Sequence, residues 1–225
     1  MGWFRNFITS SIGRKVIMSI TGIFLILFLA VHCGINSLIF FNDGGATFNE
    51  AAHFMATNII IRTMEVGLFL GIILHIVQAF MITGKNKMAR PVGYKVNTPS
   101  QNSTWYSRSM TLLGTLILLF LIIHIKHFWW VSRITGLEHT AEGTGDLFNE
   151  MKIVFQHGWV VIVYLLGVTS LLWHLIHGFR SAFHTLGLTP LKYAKAIRNV
   201  GIAYSIIITI LFAMMPVTMF FGWIQ

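Results

Sequence analysis

The sequence predicts an all-α membrane protein of five transmembrane helices. Three observations predict it. Of its 225 residues, 55% are hydrophobic and only 10% charged, against about 25% charged in soluble domains. The mean hydropathy is +0.72. Five apolar runs stand at 16–41, 59–83, 110–131, 158–179 and 201–221, each with about the 20 residues that cross ~30 Å of hydrocarbon. In lipid the backbone must satisfy its own hydrogen bonds, so these runs are helices.

The first run follows Arg5, Arg14 and Lys15. It is too long for a signal peptide and has no clear A-x-A cleavage site, so it reads as a retained span. The link after the second run carries Lys85, Lys87, Arg90, Lys95 and Arg108, and the link after the fourth carries Arg180, Lys192, Lys195 and Arg198. These three segments hold 12 of the 16 basic residues. All seven acidic residues (Asp43, Glu50, Glu65, Glu138, Glu142, Asp146, Glu150) lie in the other links or at their membrane edge. The positive-inside rule then puts the N-terminus in the cytoplasm and the C-terminus outside. A net charge of +9 spread in this way argues for topology and against nucleic-acid binding. No link holds a nucleotide-binding motif or a soluble domain, and residues 1–225 read as one integral membrane domain. Nothing in the outer loop 134–156 points to a role.

Six of the ten histidines fall inside apolar runs: His32, His75, His124, His127, His174 and His177. One such imidazole could simply bond a neighbouring helix. Several on four successive helices point to a site. Depth separates them into layers. His32 lies 17 residues beyond Lys15 and His124 lies 16 beyond Arg108, or ~26 and ~24 Å from the inner edge. His75 precedes Lys85 by 10 and His174 precedes Arg180 by 6, or ~15 and ~9 Å.

Two layers of two fit two bis-histidine b haems, stacked across the membrane and bound by the first four helices. The lone Cys33 excludes a CxxCH attachment, so such haems are held by side chains alone. The pairs are His32 with His124 and His75 with His174. His127 and His177 each follow a proposed ligand by three residues and share roughly its face, so either could replace its neighbour. His177, with Arg14, Arg108 and Arg180, is also a candidate for the propionates of the inner haem. The arginines would serve equally as interfacial anchors. Gly67 and Gly71 before His75, and Gly167, Ser170 and Gly178 around His174, would let a macrocycle approach the backbone or let helices pack closely. His53, His139, His157 and His184 read as surface histidines.

The pattern resembles the dihaem cytochrome b anchor of succinate:quinone oxidoreductases, the succinate dehydrogenase and fumarate reductase complexes. The resemblance rests on five spans, the histidine order outer, inner, outer, inner, and the strings FLAVH ending at His32, FNEAAHFM over 48–55, IILH ending at His75 and WHLIHGF over 173–179. It implies the same four axial histidines, and a flavoprotein and an iron–sulfur subunit docked on the cytoplasmic side. It also implies a quinone of the menaquinone type and residence in the bacterial cytoplasmic (inner) membrane. Succinate chemistry would lie in the partner chains. The alternative is the dihaem cytochrome b of a hydrogenase or formate dehydrogenase. A bc-type cytochrome would need two histidines about fourteen residues apart on each of two helices, and a haem-free transporter would be colourless.

Quinone chemistry moves protons, so an ionisable group near a haem is wanted. Glu65, the one carboxylate well inside an apolar run, lies ten residues before His75, ~15 Å further out. It is the candidate proton relay, with a salt bridge to Arg62 as the competing role.

Overall fold

A computed structural model describes residues 2–89, 103–141 and 143–224, apart from the side chain of Phe4. The link cations Arg90 and Lys95 and the acid Glu142 lie outside the described residues. The elements run in order α1 (Gly2–Thr9), α2 (Ser11–Asn36) continued by a 3-10 turn (Ser37–Phe41), α3 (Ala46–Thr57) and α4 (Ile59–Met88). There follow α5 (Trp105–Arg108), α6 (Met110–His124) continued by a π-helix (Ile125–Thr135), α7 (Leu147–Phe155), α8 (Gly158–Thr185) and α9 (Ala194–Phe220). Among the described residues there is no strand, only an isolated bridge between His139 and Gly145.

Five helices are long and apolar enough to cross a membrane: Ser11–Phe41, Ile59–Met88, Met110–Thr135, Gly158–Thr185 and Ala194–Phe220. Large apolar side chains stand open along them, among them Ile73, Leu112, Leu119, Ile162 and Ile207. That is the expected state of a lipid-facing surface and an untenable one in water. Buried hydroxyls return to their own helix: Ser19, Ser170, Ser205 and Thr218 each donate to the carbonyl four residues back. Each thereby satisfies itself where no water can.

The helices extend past the apolar runs. α8 continues from Phe179 to Thr185 and α9 starts at Ala194, not Gly201. Hydrophobicity ends where the hydrocarbon ends, whereas the i→i−4 ladder needs only helix-compatible residues and runs on into the interface.

α2 packs on α4 and α8, and α6 packs on α8, while α4 and α6 meet only sparsely. The first four spans therefore stand as a ring α2–α4–α6–α8, with α2 opposite α6 and α4 opposite α8. α9 lies outside the ring against α8, and the Tyr204 hydroxyl donates to the Ile26 carbonyl of α2 at 2.6 Å.

The loop 134–156 is not structureless. Asp146 caps α7 by accepting from the Asn149 amide, and Phe148, Met151, Val154 and Phe155 are buried along one face of the helix. That face joins Ile39, Phe48, Tyr164, Met215 and Met219 in one apolar cluster. Asn49 ties the cap to α3, donating to Asp146 at 2.9 Å and accepting from the Phe148 amide at 3.0 Å. Gly45, at φ 82°, is required there because a Cβ would collide with the Phe148 side chain. The segment thus closes the acidic end of the bundle.

Candidate dihaem site

The ring arrangement brings the four histidines together as two diagonal pairs. His32 of α2 faces His124 of α6 with ring centroids 5.8 Å apart and planes at 87°. His75 of α4 faces His174 of α8 at 6.2 Å and 62°. Two imidazoles on opposite sides of one metal, each with a metal–nitrogen bond of about 2 Å, hold their centroids about 6 Å apart. Both separations match that spacing.

The layers can be spaced independently of any assumed membrane edge. Thr21 of α2 bonds His75, and His32 lies 11 residues further along the same helix, ~16 Å away. Gly114 of α6 lies against His174, and His124 is 10 residues on, ~15 Å away. Two helices give the same spacing.

Local contacts set each ring. Thr21 Oγ1 lies 2.9 Å from the Ile17 carbonyl, which can only accept, and 3.1 Å from His75 Nδ1. With the hydroxyl proton on Ile17, we assign Nδ1 of His75 as the donor, which leaves Nε2 as a lone-pair ligand. His124 and His174 each keep a buried Nδ1 without a hydrogen-bond partner. An unpaired buried polar atom costs about 1–3 kcal/mol, a cost that coordination through Nε2 would leave in place. His32 differs. Its Nδ1 lies 3.3 Å from Asn36 Nδ2, which also donates to the His32 carbonyl at 2.7 Å. Ligation through Nε2 would require the Asn36 amide to turn its oxygen toward that ring.

Aromatic side chains wall the outer pair. Phe28 stacks on His32 and Phe120 on His124, and Phe212 of α9 stands 5.6 Å from His32. A Cβ on Gly22 would meet His75 Cε1, and one on Gly114 would meet His174 Cε1, both at 3.7 Å. These two glycines flank the His75–His174 pair from the other diagonal, on helices whose own histidines belong to the other pair, so chain proximity to His75 or His174 does not point to them. Gly71 and Gly167 instead accommodate Phe24 and Phe120, so their smallness serves helix packing. Nothing stands within 4 Å of a Cβ on Gly67 or Gly178.

His127 and His177 stand apart from the pairs. The π-helix rotates His127 onto Tyr164 of α8, with Nδ1 3.1 Å from the hydroxyl and the rings 6° from parallel. His177 lines a cavity of about 560 Å³ with Thr83, Lys87, Ser107 and Arg108 at the basic end of α4, α6 and α8. Arg14 is buried with Nε unpartnered, as is Oε1 of Gln78, one turn from His75 and unmarked in the sequence reading. Arg180 is exposed and lines a different cavity, toward α9. His53, His139, His157 and His184 are exposed.

Glu65 is fully engaged. It pairs with Arg62 at 2.6 Å and with Arg133 of the π-helix at 3.2 Å, and accepts from Trp129 Nε1 at 2.7 Å. The salt bridge weighed in the sequence reading is present, and two further partners come from 64 and 68 residues away.

Among the described residues no group of three or more His, Cys, Asp or Glu side chains forms a metal cluster. A haem would draw only its axial ligands from the protein, so for such a group the set to consider would be a pair of histidines. No family model matches the chain, and neither does any curated protein or solved structure.

Proposed function

We propose that this chain is the membrane anchor and electron-transfer subunit of a succinate:quinone oxidoreductase, binding two b haems between an iron–sulfur subunit and a menaquinone-type quinone. One observation carries the reading: four histidines on four helices meet as two diagonal pairs, ~15 Å apart along the bundle. Unrelated membrane histidines have no reason to meet opposite one another twice.

His32 and His124 would hold the outer haem, and His75 and His174 the inner one. Two such groups, when bound, supply one-electron carriers in series. The chain's own residues do the rest. Thr21 orients His75 and fixes its proton on Nδ1. Arg108, His177 and Lys87 place positive or hydrogen-bonding groups in the basic-end cavity, where propionates of the inner group would be met, and Arg14 adds a buried guanidinium on α2. The α3 and α7 cap, with Phe28, Phe120 and Phe212, excludes water from the outer pair. Glu65, in the outer layer, is the group through which protons of the quinone would exchange, its charge balanced by Arg62 and Arg133.

In this reading the N-terminus is cytoplasmic in a bacterial inner membrane. The basic end receives the iron–sulfur subunit, to which a flavoprotein attaches. The test is purification of the intact complex. A succinate–quinone activity accompanied by flavin, iron–sulfur and two haem signals supports the reading. Co-purification with a hydrogenase or formate dehydrogenase subunit overturns it.

A further inference from the structure

At the basic end, α8 and α9 diverge around a cavity of about 480 Å³ lined by Arg180, His184, Leu191, Lys195 and Arg198. Three cations converge there with no acid to meet them. The last acidic residue in the sequence is Glu150, and all seven acids lie in the other links or at their membrane edge. Among the described residues, the ion pairs are those of Glu65 alone. The first turn of α9 opens into the same space, with no acidic residue and no side-chain cap on its amides, so its dipole adds to the positive field.

The pocket has an open apolar residue in its lining. Leu191 is 99% exposed, and Leu188 and Tyr193, in the same link between α8 and α9, are about half exposed. A fully open leucine beside three cations suits a boundary where headgroups meet acyl chains, and tyrosine is enriched at that level. A water-facing protein-docking site would not need it. Basic pockets between transmembrane helices recognise anionic headgroups by this combination.

We propose that the cavity between α8 and α9 binds the phosphate headgroup of an anionic phospholipid, with Arg180, Lys195 and Arg198 as its counter-charges and Leu188, Leu191 and Tyr193 against the acyl chains. The proposal does not depend on the redox reading.

The full-length chain, purified in neutral detergent, is titrated with phosphatidylglycerol, phosphatidylcholine or inorganic phosphate, and bound lipid is read by native mass spectrometry. Phosphatidylglycerol is retained at least tenfold better than phosphatidylcholine, and equimolar phosphate does not displace it. Each charge removed weakens retention about fivefold, and R180Q/K195Q/R198Q together about a hundredfold. The charge-conserving R180K/K195R/R198K keeps the lipid, which separates lost charge from lost fold. R5Q/K15Q, taken from the same end outside the cavity, leaves retention unchanged. Equal retention of the two lipids, unchanged retention in the triple glutamine variant, or an equal loss in R5Q/K15Q overturns the proposal. So does displacement by phosphate, which assigns the pocket to a soluble anion. A triple glutamine variant that keeps its lipid but sheds an acidic partner protein also overturns it.

Discussion

Replacing Thr21 with valine keeps the side chain's volume and branching while removing the one oxygen that meets His75 Nδ1, 3.1 Å away. The hydroxyl's own bond to Ile17 is an i−4 return, so the helix loses little by its removal. The ring loses the acceptor for its Nδ1 proton, and an unsatisfied buried donor costs about 1–3 kcal/mol. A hydrogen bond at Nδ1 makes the imidazole a stronger donor and favours the oxidised metal, so its loss raises the midpoint potential. If the whole energy fell on one oxidation state, the shift would be ~40–130 mV for a one-electron couple. A rise of a few tens of millivolts is therefore expected in one haem. The other, ~16 Å along α2, should move far less. Potentiometric titration of the α-bands in the purified protein reads both at once. Shifts of equal size in both haems, or none in either, would refute the assignment of Thr21 to the inner pair.

Three further outcomes follow from the outer half of the bundle. Glu65→Gln removes the charge shared by Arg62 and Arg133, and should slow quinone turnover with both haems still bound; unchanged turnover in a quinone assay rejects Glu65 as the relay. Asn49→Ala breaks both bonds that fasten α7 to α3 and should cost about 2 kcal/mol, seen as a lower unfolding midpoint and faster proteolysis within 134–156. Hydrogen bonds from the Thr47 side chain and amide hold the Asp43 carboxyl below the usual carboxylate range. Its stabilising contribution is full above the unfolded value and is lost as pH falls through the folded one. The stability gap between wild type and Asp43→Asn should therefore narrow as pH drops below about 4, as thermal unfolding can show.

What the sequence made legible was set by the solvent. Apolar length alone marked the starts Ile59, Met110 and Gly158 at the residues where those helices begin. Depth counted from charged edges sorted His32, His75, His124 and His174 into the layers in which they meet. What escaped detection depended on contacts or on a change of period. The π-helix from Ile125 breaks the 3.6-residue rule, so His127, three residues after His124, turns toward Tyr164 and away from His32. Arg133 and Trp129 reach Glu65 because the π-helical continuation of α6 brings them beside the first turns of α4. The amphipathic pattern of Phe148, Met151 and Phe155 behind the Asp146 cap was readable in principle. A 9-residue helix is too short to register in a search for spans.

A reduced-minus-oxidised spectrum of the purified chain and of four single variants shows whether each histidine pair holds one haem. Wild type should show two low-spin b-type haems per chain. His32→Ala and His124→Ala should each abolish the same one, and His75→Ala and His174→Ala the other. A colourless wild-type protein would contradict the account, as would partners within a pair that abolish different haems.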